Sequence, residues 1–187
     1  DADCAGDCNG DAIEDACGEC DSDPENDCAQ LSIALDGLDL VSFFALPEDN
    51  SIENVLSGIE GSNLGVLGEG TSASFVDGQW LGTLLSIDRQ DGYWIKLTGE
   101  TDLNVEGLPT DPSTVYYLHG GSNLISYPFA GFALLIETLP EEVQNSIIGI
   151  IGENESAYNS EDGWLGGLTE LSGTKGYWFI TSEDVEF

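Results

Sequence analysis

Gly92-Tyr93-Trp94 returns as Gly176-Tyr177-Trp178, 84 residues further along the chain. Three other steps repeat at the same offset with no gap between them: Trp80-Leu81-Gly82 with Trp164-Leu165-Gly166, Gly68-Glu69 with Gly152-Glu153, and Leu40-Val41-Ser42 with Leu124-Ile125-Ser126. Chance does not keep rare Trp and Tyr residues in one register over such a span. The chain therefore contains two copies of one module behind a different N-terminal segment.

The duplication divides the chain into four parts. We predict an Asp/Cys-rich segment of calcium-binding type over 1–30, a first β module over 31–109, a linker over 110–114 and a second β module over 115–187. Short apolar runs with strand alternation, separated by Gly, Asp and Asn turns, fill both copies. The predicted fold is mainly β (α+β): two small antiparallel β modules, each with one covering helix.

The elements of the first module follow from local patterns. Acidic residues after Pro47 open a predicted helix, whose apolar face is formed by Ile52, Val55, Leu56 and Ile59 and whose end is Gly61. In the second copy Pro140 lies inside the helical pattern of 130–146, which predicts a kink or two helical pieces. Strands are predicted at 31–35, 40–45, 64–68, 72–76, 79–85, 92–98 and 102–106.

The charge limits the partners of the chain. Its net charge is −33, from 36 acidic and 3 basic residues. Such a chain cannot replace the counterions of phosphates, so we expect no nucleic-acid partner and no attraction to an anionic membrane. Self-repulsion of this size favours bound cations or a saline medium. No apolar run is long enough for membrane insertion.

All five cysteines lie in the acidic first segment, at Cys4, Cys8, Cys17, Cys20 and Cys28. Dense cysteines in a small segment that cannot build a core indicate disulfides and an oxidising, extracellular setting. Any four of them allow three pairings, and the spacing does not choose among these. We predict Cys8 as the odd cysteine, either free or bonded to a neighbouring chain.

The acidic segment also predicts a calcium site. Asp7, Asn9, Asp11 and Asp15 stand at relative positions 1, 3, 5 and 9, a spacing that directs hard oxygen ligands toward one centre. Further partial sites are formed by Asp21, Asp23 and Asp27, and by Asp1, Asp3 and Asp7. The alternative is a solvated, disulfide-linked spacer that holds ions loosely. Zinc at Cys17-Gly18-Glu19-Cys20 is less favoured, because no histidine lies nearby, and a thioredoxin-like role lacks a βαβ context.

The sequence of residues 1–28 has DCAG near its start and CGECDSDPENDC at its end. It resembles the Asp/Cys-rich repeats of long secreted surface proteins of marine bacteria, which resemble cargo of type IX secretion. It also resembles thrombospondin type 3 calcium repeats, and that resemblance implies calcium binding by Asp7, Asn9, Asp11 and Asp15. Gly18 departs from it, because thrombospondin repeats have Asp there. The two copies resemble the NLISF…GYW modules that accompany such repeats.

The repeated aromatic residues support two interpretations. Trp80 and Trp164 could stack on sugar rings, which would make them glycan contacts. Large aromatic residues also fill the interior of small β modules, and we favour this core role for both tryptophans and for the Gly-Tyr-Trp steps.

No set of side chains predicts catalysis. Glu69 and Glu153 recur through duplication, so they belong to separate modules and are expected in turns rather than across one substrate. His119 is the only histidine and has no nucleophile near it in the sequence. We therefore expect a protein that is not an enzyme.

These patterns predict a secreted, calcium-stabilised structural or adhesive protein of the cell surface, and we consider it as the repeating subunit of an extracellular filament. Its expected partners are further copies of itself, joined head to tail, or other surface proteins. The alternative is a pair of carbohydrate-binding modules of a larger secreted protein, with glycans as partners. Because 182–187 corresponds to the start of a longer strand in the first copy, we expect the native polypeptide to continue.

Overall fold

The computed structural model of the chain describes residues 2–15, 17–23, 27–59 and 64–187. Its architecture is mainly β, with antiparallel pairing throughout and only short helices. Alternating buried and exposed residues along the strands account for this, because one face of each sheet packs on a core. The predicted fold class is confirmed.

The first module is built on a sheet with the strand order β3-β8-β5-β6-β7, in which β4 also pairs with β8. One side of the sheet is a pairing of two long strands, β3 at the edge and β8 next to it, and a meander of short strands follows. The strands are β3 (Ala29–Ser42), β4 (Ala45–Leu46), β5 (Gly65–Leu67), β6 (Ser72–Val76), β7 (Gln79–Gly82) and β8 (Gly92–Pro109).

The second module has a five-stranded sheet with the order β10-β16-β12-β13-β14. This is the order of the first sheet, strand for strand. The strands are β10 (Gly121–Ser126), β12 (Ile147–Ile151), β13 (Ser156–Ser160), β14 (Gly163–Gly166) and β16 (Gly176–Thr181). Two small sheets flank it and pair β9 (Tyr117–Leu118) with β17 (Val185–Glu186) and β11 (Phe132–Leu134) with β15 (Glu170–Ser172).

The pairing register is also repeated at the offset of 84 residues. Leu40 lies opposite Trp94, and Leu124 lies opposite Trp178. Further pairs agree in the same way: Leu67 with Trp94 and Ile151 with Trp178, Ala73 with Gly82 and Ala157 with Gly166, and Phe75 with Trp80 and Asn159 with Trp164. Since a slip of one residue would exchange the two faces of a strand, this agreement means that equivalent positions face equivalent sides.

Two pairs of predicted strands are each one continuous strand. The prediction at 31–35 and the first half of that at 40–45 fall on β3, and those at 92–98 and 102–106 fall on β8; the prediction at 40–45 runs past the end of β3 at Ser42 to Ala45, which begins β4. The separation into shorter strands was wrong because Gly37 and Gly99, read as turn residues, belong to an irregularity within the ladder, where the register shifts between Asp36 and Leu38. Both glycines have positive φ, so they bend the strands without ending them.

The covering helices are shorter than predicted. In the first module α1 (Ile52–Val55) is followed by a 3₁₀ turn at Ser57–Ile59, and the side chain of Ser51 caps its start. The predicted helix end at Gly61 lies outside the described residues. In the second module α2 (Leu135–Thr138) and α3 (Glu141–Gln144) are separate pieces on either side of Pro140, as its position predicted. The stretch before them, predicted as helix from 130, contains β11 instead.

Each module has its own core. The first is centred on Phe43, Tyr93 and Ile95, and the second on Ile150, Tyr177 and Phe179. Ile52, Val55, Leu56 and Ile59 are all buried in the first core, as their helical spacing predicted. Of the described residues in the N-terminal segment, Ala29 packs against the first core.

The described residues of that segment include a small hairpin of β1 (Ile13–Glu14) and β2 (Cys20–Asp21). Disulfides link Cys4 with Cys20 and Cys17 with Cys28, and Cys8 is unpaired and exposed, as we predicted. The disulfides are consistent with an extracellular or otherwise oxidising environment. Within the described ranges, no helix has the length and apolar character needed to cross a membrane.

Candidate functional sites: the module interface and the N-terminal loops

The two modules touch through duplicated residues. Val41 forms a backbone bridge with Lys175, and Ile125 forms one with Asp91. Adding 84 to Val41 gives Ile125, and adding 84 to Asp91 gives Lys175, so each bridge is the counterpart of the other. When position i of one copy meets position j of the other, and position j of the first copy meets position i of the second, the contact is isologous and has two-fold symmetry. The modules are therefore related by an approximate two-fold axis.

The axis passes close to Gly92 and Gly176. A Cβ atom placed on Gly92 would lie 3.2 Å from the Cα of Gly176, and the reverse distance is also 3.2 Å. Each glycine also faces the other module, with Leu124 near Gly92 and Leu40 near Gly176. The glycine of the Gly-Tyr-Trp step thus allows two backbones to approach as no other residue would.

Two serines continue the symmetry. The N–H of Ser42 donates to the carbonyl of Thr174 at 3.2 Å, and the N–H of Ser126 donates to the carbonyl of Gln90 at 2.9 Å. The hydroxyls follow the symmetry less closely: that of Ser126 donates to the carbonyl of Arg89, whereas that of Ser42 lies 3.5 Å from the equivalent carbonyl of Gly173 and donates at 2.7 Å to the carbonyl of Lys175. Both serines are buried, with these polar groups satisfied across the interface.

Glu69 and Glu153 each reach into the opposite module. An oxygen of Glu69 accepts the N–H of Leu124 at 2.8 Å, and an oxygen of Glu153 accepts the N–H of Leu40 at 3.4 Å. We expected turn residues here, and both do follow a glycine at the end of a strand. Their carboxylates nevertheless bind backbone N–H groups at the edge of the other sheet. The repeated Gly-Glu pair therefore belongs to the interface between the modules.

The interface is not fully symmetric in its charges. The second oxygen of Glu69 lies 2.8 Å from Nε2 of His119, and this hydrogen bond raises the pKa of the histidine. Asp91 in the first module stands where the second has Lys175. Burial, and then the neighbouring Asp88, raise the pKa of the Asp91 carboxyl to about 6. His119 thus takes part in a hydrogen bond between the modules, which is an ion pair when the histidine is protonated.

The N-terminal segment contains a small repeat of its own, twelve residues apart. Asp3-Cys4-Ala5-Gly6-Asp7-Cys8 and Asp15-Ala16-Cys17-Gly18-Glu19-Cys20 share Asp, Gly, an acidic residue and Cys at the same places. In each, an oxygen of the first Asp accepts the N–H four residues later at 2.8 Å, and the glycine has positive φ. Cys8 occupies in the first loop the place that the disulfide-bonded Cys20 occupies in the second.

The carboxylates of Asp3 and Asp15 hold these loops together. The second oxygen of Asp3 accepts the N–H of Ala12 at 3.3 Å, and that of Asp15 accepts the N–H of Cys28 at 2.7 Å. The bond from Cys28 is the main reason why the pKa of Asp15 lies below its ordinary value. Both predicted ligands therefore serve as local acceptors for backbone donors.

One group of metal-capable side chains comes together among the described residues. Single ligand atoms of Asp15, Cys17 and Cys28 lie within 4.8 Å of one another. Because Cys17 and Cys28 are bonded to each other, their sulfurs cannot act as thiolate ligands while the disulfide is intact. Asp15 is the one carboxylate that this group offers to a cation.

The other predicted calcium ligands are distributed over the segment. Asp7, Asn9 and Asp11 are exposed, and Asp7 and Asp11 form no compact group of three with another described His, Cys, Asp or Glu. An oxygen of Asp21 accepts the N–H of Asp23, and Asp27 is exposed. Asp1 lies outside the described residues.

The duplicated aromatic residues lie mostly inside. Tyr93 and Tyr177 are fully buried, and their hydroxyls accept the N–H groups of Asp88 and Ser172, each at 2.8 Å. Trp80 and Trp164 are partly buried against the two cores, and Nε1 of Trp164 donates to Gln144 at 3.0 Å. This placement agrees with a role in packing for both tryptophans.

No family model, curated protein or solved structure matches this chain. What can be said of function therefore comes from the interface, the loops and the charge.

Sequence reasoning missed the interface and the twelve-residue loop repeat. The sequence did contain a signal for the interface, since Glu69, Gly92 and their copies are repeated but have no obvious role within a single module. The signal for the loops was the recurrence of Asp-x-x-Gly-acidic-Cys. Neither pattern shows from sequence alone which donors the carboxylates meet.

Proposed function

We propose that this chain is a secreted structural or adhesive protein of the cell surface, stabilised by calcium, and that it assembles with further copies into an extracellular filament. The observation that carries the proposal is the use of the duplicated residues. Tyr93 and Tyr177 fill the cores, whereas Glu69, Gly92 and their copies join the modules. Because its repeated residues serve core packing and the contact between modules, the chain is suited to a structural role.

The isologous contact between the modules refines the mode of assembly. An isologous interface closes on itself and leaves no identical surface to propagate. The pair of modules is therefore the building block, and contacts between blocks use other surfaces. The acidic N-terminal segment, with its exposed Cys8, is one such surface.

Calcium is assigned to the same segment on chemical grounds. The net charge is −33, and exposed carboxylates are dense around the two loops. Asp7, Asn9 and Asp11 offer oxygen ligands next to the ordered Asp15, and a hard divalent cation would reduce the repulsion among them. The two disulfides support secretion, because they are consistent with an extracellular or otherwise oxidising environment.

The proposal is tested on the intact chain with oxidised disulfides. We expect millimolar calcium, but not the same concentration of magnesium, to raise the melting temperature and to produce larger species in sedimentation velocity. An Asp7→Asn, Asp11→Asn double variant should lose both responses. Asp77→Asn, Asp162→Asn is the matched control, because it removes two charges from turns of the modules and should respond as the unmodified chain does.

A chain that stays monomeric, with an unchanged melting temperature, at all calcium concentrations up to ten millimolar contradicts the proposal. If the double variant assembles as the unmodified chain does, the proposed structural role stands, but calcium binding by Asp7 and Asp11 is contradicted.

A further inference from the structure

One side of each sheet faces away from its core, and over most of its width this side carries no carboxylate. In the first module it is formed by the outward-facing residues of β5, β6 and β7, with those of 38–42 in β3 and 92–96 in β8. In the second module it is formed by the outward-facing residues of β10, β12, β13, β14 and β16. We call these two surfaces the outer faces. Among these described residues Lys96 is the only charged one, in a chain with 36 acidic residues.

The absence of carboxylates is local to the outer faces. Beyond the bulge at Gly37, the residues of the same two long strands that point away from the core include Asp36, Glu100, Asp102 and Glu106, and all four are exposed. The strands of this protein therefore do accept acidic residues on their exposed side. Depletion of charged residues together with the presence of aromatic ones is typical of the centre of a protein–protein interface.

Three large apolar side chains of each outer face recur at the offset of 84 residues: Leu67, Leu81 and Trp94, with Ile151, Leu165 and Trp178. The first pair is 47% and 46% exposed, the second pair is 57% exposed in both copies, and the two tryptophans are partly buried. None of the six belongs to a core, so the core role expected for the Gly-Tyr-Trp steps holds for their tyrosines and not for these tryptophans.

Neighbouring positions on the outer faces differ between the copies. Tyr158 stands where the first module has Ser74, and Ile180 stands where it has Lys96. Exposed apolar side chains are thus kept at three positions while the positions between them vary. An exposed apolar patch that recurs in this way indicates a contact surface.

The outer faces continue into the interface between the modules. Leu40 and Leu124 lie on them, are each 2% exposed and belong to neither core. A Cδ1 atom of Leu40 lies 3.0 Å from the position of a Cβ atom on Gly176, and Leu124 lies at the same distance from that on Gly92. Near the two-fold axis each outer face is therefore covered by the other copy of the module, and away from the axis the same face is exposed.

We propose that the exposed part of the outer faces is a docking surface for a second copy of this chain, with the outer face of one module packed on the outer face of another. The covered part selects this occupant, because it already packs on a module of the same kind. The charge selects it as well. Two chains of net charge −33 repel each other, so they can associate closely only through surfaces without carboxylates. The outer faces are such surfaces.

The inference rests on the proposed assembly of copies and names a surface for it, but calcium has no part in this contact. A high concentration of salt screens the repulsion between two acidic chains and leaves the burial of apolar side chains in force. Sodium chloride alone should therefore promote association through the outer faces.

Sedimentation velocity of the intact, oxidised chain tests this, in 1 M sodium chloride with a chelator of calcium and over a hundredfold range of protein concentration. Every chain in the experiment carries Cys8→Ser, so that no disulfide between chains contributes. We expect the parent chain to form larger species as its concentration rises. Leu81→Glu, Leu165→Glu should need at least tenfold more protein for the same association, because each carboxylate would be buried in an apolar contact.

Leu85→Glu, Ile136→Glu is the matched control. It adds the same two charges, one in each module, at side chains that are 74% and 64% exposed and lie outside the outer faces. This variant should associate as the parent chain does. Circular dichroism checks that all the chains keep their fold, which is expected because every substituted side chain is exposed.

A parent chain that stays monomeric in salt overturns the inference and leaves the outer faces to another partner, for example a neutral glycan chain stacked on Trp94 and Trp178. Equal association of the two double variants also overturns it. If Leu81→Glu, Leu165→Glu keeps both the salt-promoted and the calcium-dependent assembly, only this inference fails. If salt-promoted association occurs and is lost in that variant, but calcium has no effect on the chain, only the calcium-dependent assembly fails.

Discussion

At the scale of single residues, the duplicated carboxylates are the clearest case of a function that belongs to no single module. Glu69 and Glu153 occupy equivalent places, yet their surroundings differ. Glu69 accepts Leu124 N–H at 2.8 Å and also meets His119, whereas Glu153 accepts Leu40 N–H at 3.4 Å. Two copies of one residue can therefore be compared directly within one molecule.

Glu69→Ala should destabilise the chain more than Glu153→Ala. Loss of the Glu69 carboxylate leaves the partly buried N–H of Leu124 without this acceptor, at a cost of about 1 kcal/mol. For a protein of this size that corresponds to a fall of roughly 2–4 °C in melting temperature. Thermal melts at pH 7 measure both variants, and equal losses would show that the shorter bond carries no extra stability.

Asp91 gives the interface a dependence on pH. Its pKa in the folded chain is about 6, above the ordinary value of 3.8, mainly because of burial and then because of Asp88. The folded state therefore binds a proton more readily than the unfolded state. The stability associated with this group is fully present below pH 3.8 and is lost as the pH rises through about 6.

Asp91→Asn should accordingly raise the melting temperature at pH 7.5 and have little effect at pH 4. The difference in melting temperature between the variant and the unmodified chain should grow as the pH rises from 4 to 7.5. Asp162→Asn, in an exposed turn, is the control for the removal of one negative charge. A benefit of Asp91→Asn that is the same at pH 4 and pH 7.5 would rule out titration of this carboxyl as the cause.

At the scale of elements, strands β8 and β16 of the two modules approach each other where Gly92 and Gly176 are face to face. A Cβ atom on Gly176 would lie 2.7 Å from the carbonyl oxygen of Val41 and 3.2 Å from the Cα of Gly92. The approach of β16 to the first module therefore depends on glycine at this position. The same holds, with slightly longer distances, for Gly92 in β8.

Gly176→Ala should cost about 1–3 kcal/mol, since the added methyl group meets backbone atoms that cannot move independently. Gly58→Ala is the matched control, because nothing lies within 4 Å of the position of its Cβ, and it should be neutral or slightly stabilising. Urea denaturation compares the two. A Gly176→Ala variant as stable as Gly58→Ala would mean that the modules are not packed as closely as described.

The elements themselves follow from local patterns to a large extent. The alternation in Leu31, Ile33 and Leu35 predicts one buried face, and Pro140 predicts a divided helix, because both effects act over a few residues. The continuity of β3 through Gly37 could not be predicted in this way. Whether a glycine ends a strand or forms a bulge depends on the partner strand, which lies some sixty residues away.

The candidate sites were predicted less completely for the same reason. The identity of Cys8 as the odd cysteine agrees with the structure, but the backbone partners of Asp3 and Asp15 depend on how the loops fold. The contacts of Glu69 and Gly92 depend on how two modules meet. Sequence periodicity describes one face of one element, and it contains no information on the axis that relates two modules.

At the scale of the whole molecule, the chain is a closed pair of modules with an acidic, disulfide-linked segment before it. The pair buries the duplicated Ser42 and Ser126 and leaves the edge strands β7 and β14 at the far sides of the two sheets. A closed pair behaves as one folding unit when its interface is a large part of its stability. The modules should therefore unfold together, although each has its own core.

Differential scanning calorimetry of the intact, oxidised chain tests this central claim most directly. The account predicts one transition whose calorimetric and van't Hoff enthalpies agree, and a lower, broader or divided transition for Gly176→Ala. Two separate transitions in the unmodified chain, neither of them shifted by Gly176→Ala or Glu69→Ala, would contradict it.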